Sequence, residues 1–239
     1  MNWHARYLQQ AAWTRDLRKY LFEKAGFLDA QRVLEIGCGT GAILVEVRSP
    51  AALHGLDLVP ESLAQCRIHA SGVSLTQGDA HALPFPDHSF DIVFCHFLLL
   101  WVENPLQVVS EMARVGRTVI ALAEPDYGQR VDQPAELKPL GEWQTEALVR
   151  QGADPFFGSL LAETFHRAGI KIQETGPIQR SEMKRSLAEW KNEWDVIESD
   201  LAGFVPGGDI QKMRLMDESA RKRGERILHV PTYFAWGKT

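Results

Sequence analysis

The stretch Arg32-Val33-Leu34-Glu35-Ile36-Gly37-Cys38-Gly39-Thr40-Gly41-Ala42 decides how the rest of the chain is read. Its first half is a short apolar run of strand type, and three alternating glycines follow it directly. Residues 41–48 then read as a helix. Glycines suit such a junction because the chain turns sharply, a ligand can approach the backbone, and a helix packs closely on the strand. Asp57 stands at the end of the next apolar run, Leu53-His54-Gly55-Leu56. A carboxylate there can accept hydrogen bonds from both hydroxyls of a ribose.

These residues alone leave two ligand classes open. Gly37, Gly39 and Ala42 satisfy the loose dinucleotide pattern G-x-G-x-x-G/A, so an NAD(P)-dependent or flavin oxidoreductase competes. Two features point elsewhere. Glu35 lies inside the apolar strand beside the loop; an anionic pyrophosphate gains nothing from it, whereas a ligand carrying an ammonium and a sulfonium does. Gly78-Asp79-Ala80 follows the third apolar run. There Asp79 can accept from an exocyclic amine while the Ala80 amide donates to a ring nitrogen, which is adenine recognition.

Outward from this centre, strand-type runs recur at 33–36, 53–56, 73–75, 92–95 and 118–122, with helical stretches such as 61–70 and 105–114 between them. Strands alternating with helices predict an α/β fold, a doubly wound, mostly parallel sheet with helices on both faces. Residues 5–26 read as one amphipathic N-terminal helix ending near Gly26. Prolines break the rhythm over 124–157. A helix at 158–168 and a strand at 170–175 follow. Residues 182–226 look mostly helical, interrupted at 203–208, and an aromatic closing strand spans 232–236. The expected organisation is one domain over 1–239: an N-terminal helical cap (1–28), a core sheet (30–178 and 227–239), and a helical insertion (180–226) before the last strand.

Composition narrows the function classes. The net charge is −5 over 239 residues, which lacks the basic footprint of a nucleic-acid clamp. Cys38, Cys66 and Cys95 are an odd set without a C-x-x-C pair, so neither a disulfide framework nor a structural metal is expected. The longest apolar run, residues 97–102, is too short to span a bilayer. A soluble, cytoplasmic protein with no metal and no membrane partner is the expectation.

The ordered set Val33-Leu34-Glu35-Ile36-Gly37-Cys38-Gly39-Thr40-Gly41, Asp57, Gly78-Asp79-Ala80, Leu83-Pro84-Phe85 and Ser89-Phe90-Asp91-Ile92-Val93 resembles the class I S-adenosylmethionine-dependent methyltransferases, particularly the methyltransferase type 11 group. The resemblance covers about residues 30–122. It implies S-adenosylmethionine as cofactor and a seven-stranded sheet whose last two strands, near 170–175 and 231–237, pair antiparallel. It also implies that the loop Gly37, Cys38, Gly39, Thr40, Gly41 holds the methionine moiety with Glu35 nearby. Asp57 would bind the ribose and Leu58 would lie on the adenine face. Gly78, Asp79 and Ala80 would read the adenine edge, and Cys95, His96 and Phe97 would flank the methionine end. Trp13 and Thr14 could close over the cofactor.

The expected reaction is methyl transfer to a small-molecule acceptor at oxygen, nitrogen or carbon. A non-catalytic S-adenosylmethionine-binding module is a further reading. His96 is the candidate base, with a hydrogen-bonded structural histidine as the alternative. Tyr127, with Glu124 and Asp126, could orient the acceptor, or the three could form a turn. Phe97 and Trp101 could place π faces near the sulfonium or simply be core, while Trp143, Trp190, Trp194, Phe156 and Phe157 could line a hydrophobic acceptor pocket or pack helices. Arg221-Lys222-Arg223 with Arg226 could meet an anion or form a solvated face. Cys95-His96-Phe97-Leu98 stands where nucleic-acid amino-methyltransferases carry Asn/Asp-Pro-Pro-aromatic, which argues against a nucleic-acid substrate. A monomer or a homodimer fits the sequence equally.

Overall fold

The computed structural model describes residues 3–47, 51–178 and 187–239. Its centre is a seven-stranded sheet in the order β3-β2-β1-β4-β5-β9-β7. The strands are β1 (Arg32–Ile36), β2 (Ala52–Asp57), β3 (Ser74–Gln77), β4 (Phe90–Cys95), β5 (Gly116–Pro125), β7 (Lys171–Pro177) and β9 (Thr232–Lys238). β9 runs antiparallel to both β5 and β7, while β1 to β5 pair in parallel. The strand order reverses between β1 and β4, so the loops leaving those two strands open onto one crevice.

Alternation along the strands splits the interior in two. Leu34, Ile36, Val93, Cys95, Val119 and Ala121 face α4 (Pro105–Val115) and α6 (Leu161–Arg167). Val33, Ile92, Phe94, Ile120 and Leu122 face the N-terminal helices α1 (Trp3–Trp13) and α2 (Arg15–Lys24). That period of two is what a sheet covered on both faces requires. α3 (Pro60–His69) packs between β2 and β3 with its own small core around Cys38, Leu44, Leu63 and Cys66.

Three expectations need correction. The single helix over 5–26 is two helices, broken at Thr14, whose backbone sits at φ −110, ψ 7 and whose hydroxyl is drawn to His96. The helix expected at 41–48 is a run of turns over 42–46, with residue 48 outside the described residues. With β-branched Val45 and Val47 and a strand starting at Ala52, too few residues remain to repay helix nucleation. The proline-broken stretch 124–157 also contains β6 (Val131–Gln133) and α5 (Lys138–Arg150), for which Pro139 serves within the first turn.

Beyond β7 lie α7 (Leu187–Leu201) and α8 (Gly207–Arg223), then β8 (Ile227–His229), which pairs antiparallel with β6. The expected helical segment at 180–186 lies outside the described residues. α5, α7 and α8 share a separate core of Leu137, Leu140, Trp190, Trp194, Ile197, Leu201 and Met213. Asp217 is 5% exposed there and accepts from Trp190 Nε1 (2.5 Å), Trp194 Nε1 (2.9 Å) and Arg226 Nε. Arg226 also reaches Asp132 at 2.7 Å, which ties the insertion to β6.

Candidate active site

The glycine loop leaves β1 at the topological switch with Gly37, Gly39 and Gly41 all in the left-handed region, at φ +68, +51 and +80. A side chain is excluded at Gly37 twice over, because a Cβ there would lie 2.7 Å from Leu98 Cδ1. Asp57 closes the loop from the neighbouring strand: its Oδ2 accepts from the Gly39 amide at 2.7 Å and its Oδ1 from Val59 at 2.9 Å. The carboxylate therefore fixes the loop's shape.

Glu35 is 2% exposed on the face shared with α1 and α2, and its Oε2 has no hydrogen-bond partner among the described residues. Burial pushes its carboxyl well above the usual range, with Cys66 adding to the rise and Arg18 opposing it. Arg18, 4% exposed, spends its hydrogens on the Ala11 carbonyl at 3.0 Å and on Glu46 at 2.5 Å. A buried carboxyl oxygen without a donor leaves hydrogen-bonding capacity unused.

α1 lies across this loop. His4 Nδ1 is 2.8 Å from Thr40 Oγ1, and the His4 ring stacks on His69 at 3.5 Å. The Tyr7 ring packs on Gly39, and its hydroxyl is raised by burial and then by the Asp57 charge. At the end of β4, His96 Nε2 stands 3.0 Å from Thr14 Oγ1, which in turn lies 3.3 Å from the Ala11 carbonyl. The single hydroxyl proton serves only one of these, so the His96 tautomer and the Thr14 rotamer are set together.

At the third strand, Asp79 Oδ1 accepts from the His81 amide at 2.9 Å and from His81 Nδ1 at 2.7 Å, and these bonds hold its carboxyl below the usual range. His81 Nε2 in turn accepts from the Asn104 amide at 3.2 Å, so Nδ1 carries the ring proton. This small network anchors the putting-out of Gly78-Asp79-Ala80 at the rim.

Comparison with known proteins adds to this geometry. A family described as "Methyltransferase domain" matches residues 34–118. The phosphatidylethanolamine N-methyltransferase of Cereibacter sphaeroides is 45% identical over 92 residues, 36% of this chain and 45% of that protein. The ubiquinone biosynthesis O-methyltransferase of Vibrio cholerae is 40% identical over 104 residues, 40% of this chain and 42% of that protein. The chain thus spans under half the length of these curated relatives. The demethylmenaquinone methyltransferase of Lactiplantibacillus plantarum is 30% identical over 172 residues, 67% of this chain and 69% of that protein. The chain belongs to the class I S-adenosylmethionine-dependent methyltransferases. Among solved structures, a Bacillus halodurans protein assigned as a methyltransferase superposes with a TM-score of 0.60 at 17% identity, covering 86% of this chain and 90% of that one. The 4+2 cyclase SpnF superposes at 0.55 and 19% identity, covering 87% and 75%. Both likenesses concern the fold.

For a class I methyltransferase, the residues expected at the cofactor divide cleanly. Glu35, Gly37, Gly39, Thr40, Gly41, Asp57 and His96 lie on β1, the loop after it, the end of β2 and the exit of β4, with Trp13 half-buried at the end of α1. Leu58, Gly78, Asp79 and Ala80 form the rim, Leu58 63% exposed. Cys38 and Cys95 enter by backbone alone. The Cys38 thiol turns to Cys66 under α3, and the Cys95 thiol is fully buried and raised by burial.

On the acceptor side, Asp126 caps the 3-10 turn Tyr127–Gln129 through the Gly128 amide at 2.9 Å, which is the turn reading. Tyr127 is half-buried beside it. Trp190, Trp194 and Phe157 are core residues, whereas Phe156 and Trp101 stay 48% and 44% exposed. The basic cluster is neutralised locally: Lys222 pairs with Glu218, Arg223 with Glu225, and Arg226 with Asp132 and Asp217. Sequence reasoning missed Tyr7, His4 and Arg18. Tyr7 and Arg18 lay in the amphipathic pattern of 5–26, but the helix break that turns them to the loop has no strong local signal. Among the described residues, no group of three or more His, Cys, Asp or Glu could hold a metal ion. No helix among them is long and apolar enough to cross a membrane.

Proposed function

We propose that this chain transfers a methyl group from S-adenosylmethionine to a small-molecule acceptor, at oxygen, nitrogen or carbon, releasing S-adenosylhomocysteine. The observation that carries the reading is the unpartnered, buried Oε2 of Glu35 beside the three-glycine loop. A nicotinamide dinucleotide has no cationic group to offer it at the pyrophosphate, whereas the amino-acid end of S-adenosylmethionine does.

In this reading Glu35 meets the ammonium, the loop Gly37–Gly41 offers backbone amides, and Asp57 takes the ribose hydroxyls. Gly78, Asp79 and Ala80 take the adenine edge, with Leu58 against its face. Trp13 and the rest of α1 roof the site and exclude water. The bound cofactor supplies a methyl on a positively charged sulfur. The residues around the glycine loop and the β4 exit would hold the acceptor against the methyl-bearing end of the cofactor and keep water away from it. Where the acceptor loses a proton, His96 takes it, with Thr14 fixing the ring, and Tyr127 orients the acceptor. The domain works as one unit, in the cytoplasm, as a monomer or a homodimer, with α7 and α8 bounding the acceptor side.

Thermal unfolding with S-adenosylhomocysteine, and separately with NADH, tests the reading on wild type and Asp57→Ala. Ligand at about 100 times its dissociation constant adds roughly 2.7 kcal/mol, a clear rise in Tm. A rise with S-adenosylhomocysteine alone, weakened in the variant, is expected. A rise with NADH alone would make the chain an oxidoreductase. Tight S-adenosylhomocysteine binding with no methyl transfer across a broad acceptor panel would favour a binding module.

A further inference from the structure

Glu124 is fully buried near the end of β5, where an intervening irregularity changes its face. Between Ala121 and Glu124 the β5–β9 register slips: Ala121 pairs with Ala235, but Glu124 pairs with Tyr233. One extra residue on β5 moves every later side chain to the opposite face. Glu124 therefore leaves the α1–α2 side, to which Leu122 belongs, and joins the side of Tyr233 and Leu99.

There its carboxylate meets the segment leaving β4. Oε1 accepts from the Leu98 and Leu99 amides, both at 3.1 Å, and Oε2 accepts from Leu100 at 3.2 Å. The adjacent Ala123 carbonyl accepts from the Phe97 amide at 3.0 Å. Two successive β5 residues thus take four successive N–H groups. Phe97 is held at φ +52, a conformation that bulky L-residues rarely keep without outside restraint. Leu98 packs on Gly37 of the cofactor loop, and His96 at the start of the segment meets Thr14.

We propose that Glu124 is a positioning residue for the methyl-transfer site: by binding the amides of Leu98, Leu99 and Leu100 it fixes residues 96–100 against the glycine loop and so presents His96 and Phe97 to the crevice. The proposal rests on the methyltransferase reading for its catalytic meaning, but its structural content does not depend on the cofactor. Burial pushes the Glu124 carboxyl up to about 7, against the pull of the three amides. The titratable groups around it are Cys95 and His96 on the β4 side, Tyr233 opposite in β9 and Asp126 at its own strand's exit. The 3-10 turns Leu99–Trp101 and Phe157–Leu160 carry none. An ionised carboxylate accepts all three hydrogen bonds; a protonated one carries a hydroxyl and accepts less well. The three N–H···O bonds themselves should therefore strengthen as pH rises through neutrality, even though the buried charge lowers overall stability.

The test uses Glu124→Gln in the full chain, with Glu124→Asp as a second variant that keeps the charge. Gln offers one accepting oxygen and turns a donor toward an amide. Residue-resolved amide exchange on the ligand-free protein should speed up by about tenfold at Leu98–Leu100 in the Gln variant, with β1 and β2 amides unchanged. The wild-type amide shifts of these residues should titrate around neutral pH, and that titration should vanish in the Gln variant and persist in the Asp variant. Affinity for S-adenosylhomocysteine should fall in parallel in the Gln variant and recover in part in the Asp variant. Unchanged exchange at Leu98–Leu100, or a uniform loosening of the whole sheet, would overturn the proposal. Wild type that fails to bind S-adenosylhomocysteine would sink the functional reading instead, and the exchange pattern would still decide the role of Glu124.

Discussion

Glu35 and Glu124 are both buried carboxyls at strand ends on the crevice, and they solve burial in opposite ways. Glu124 is saturated by three amides, whereas Glu35 keeps an oxygen with no donor. Glu35→Gln should therefore leave the ligand-free protein as stable or more stable, because a costly buried charge is gone. It should also weaken S-adenosylhomocysteine binding by roughly tenfold or more, since a charged hydrogen bond to the ammonium is lost. Calorimetric titration would check both halves; loss of stability with intact affinity would mean that Glu35 is structural. The pH signs follow from the same burial. Both groups sit above 4.5 in the folded chain, Glu124 at about 7. The unfolded chain releases these protons first, so their contribution to stability is full in acid, declines as pH rises past about 4.5, and is gone above the folded values. At this scale the sequence was informative wherever function needs a residue type at a fixed offset, as with Glu35, the glycines and Asp57. Glu124 was legible as a turn carboxylate but not as a clamp, because a one-residue register slip leaves no local mark.

The break between α1 and α2 turns a scaffold into a roof. Thr14 is the residue at which α2 begins, yet its hydroxyl makes no capping bond; it stands between the Ala11 carbonyl and His96 instead. Thr14→Val should cost about 1 kcal/mol, the ordinary worth of a buried hydrogen bond, readable as a lower midpoint in denaturant. It should also depress methyl transfer to acceptors that must lose a proton more than to those that need not, since the His96 ring loses its orienting partner. Equal effects on both acceptor classes would remove Thr14 from the proton path. Strand elements were legible because their alternation spells out both faces of the sheet. The failures were helical. Amphipathic periodicity runs through Thr14 without pausing, and 41–48 carries helix-compatible residues over a span too short to form one. α5 is hidden in the sequence because Pro139, which suits a helix's first turn, stands among residues that read as breakers.

The whole molecule is built from two apolar bodies, the sheet with its covering helices and the insertion core around Trp190 and Trp194. Asp217→Ala would leave Arg226 buried without one of its two acid partners and would orphan two indole donors. It should lower stability by about 3–5 kcal/mol. The Tm rise produced by S-adenosylhomocysteine should survive, because no glycine-loop residue belongs to that core; loss of both together would mean that the two bodies act as one at the crevice. The sheet itself carries a consequence for the order of assembly. β9 follows the other strands described, yet it sits between β5 and β7, and β7 has no other neighbour in the sheet among the described residues. During synthesis β5 must therefore wait with an open, strongly apolar edge until everything through β8 has been made. That pairing closes a long loop, so it is slow, and it leaves a ready template for another chain to join. Crowded nascent chains of this protein should be most prone to association in that interval, and a holdase that covers Ile120 and Leu122 would shorten its hazard rather than its duration.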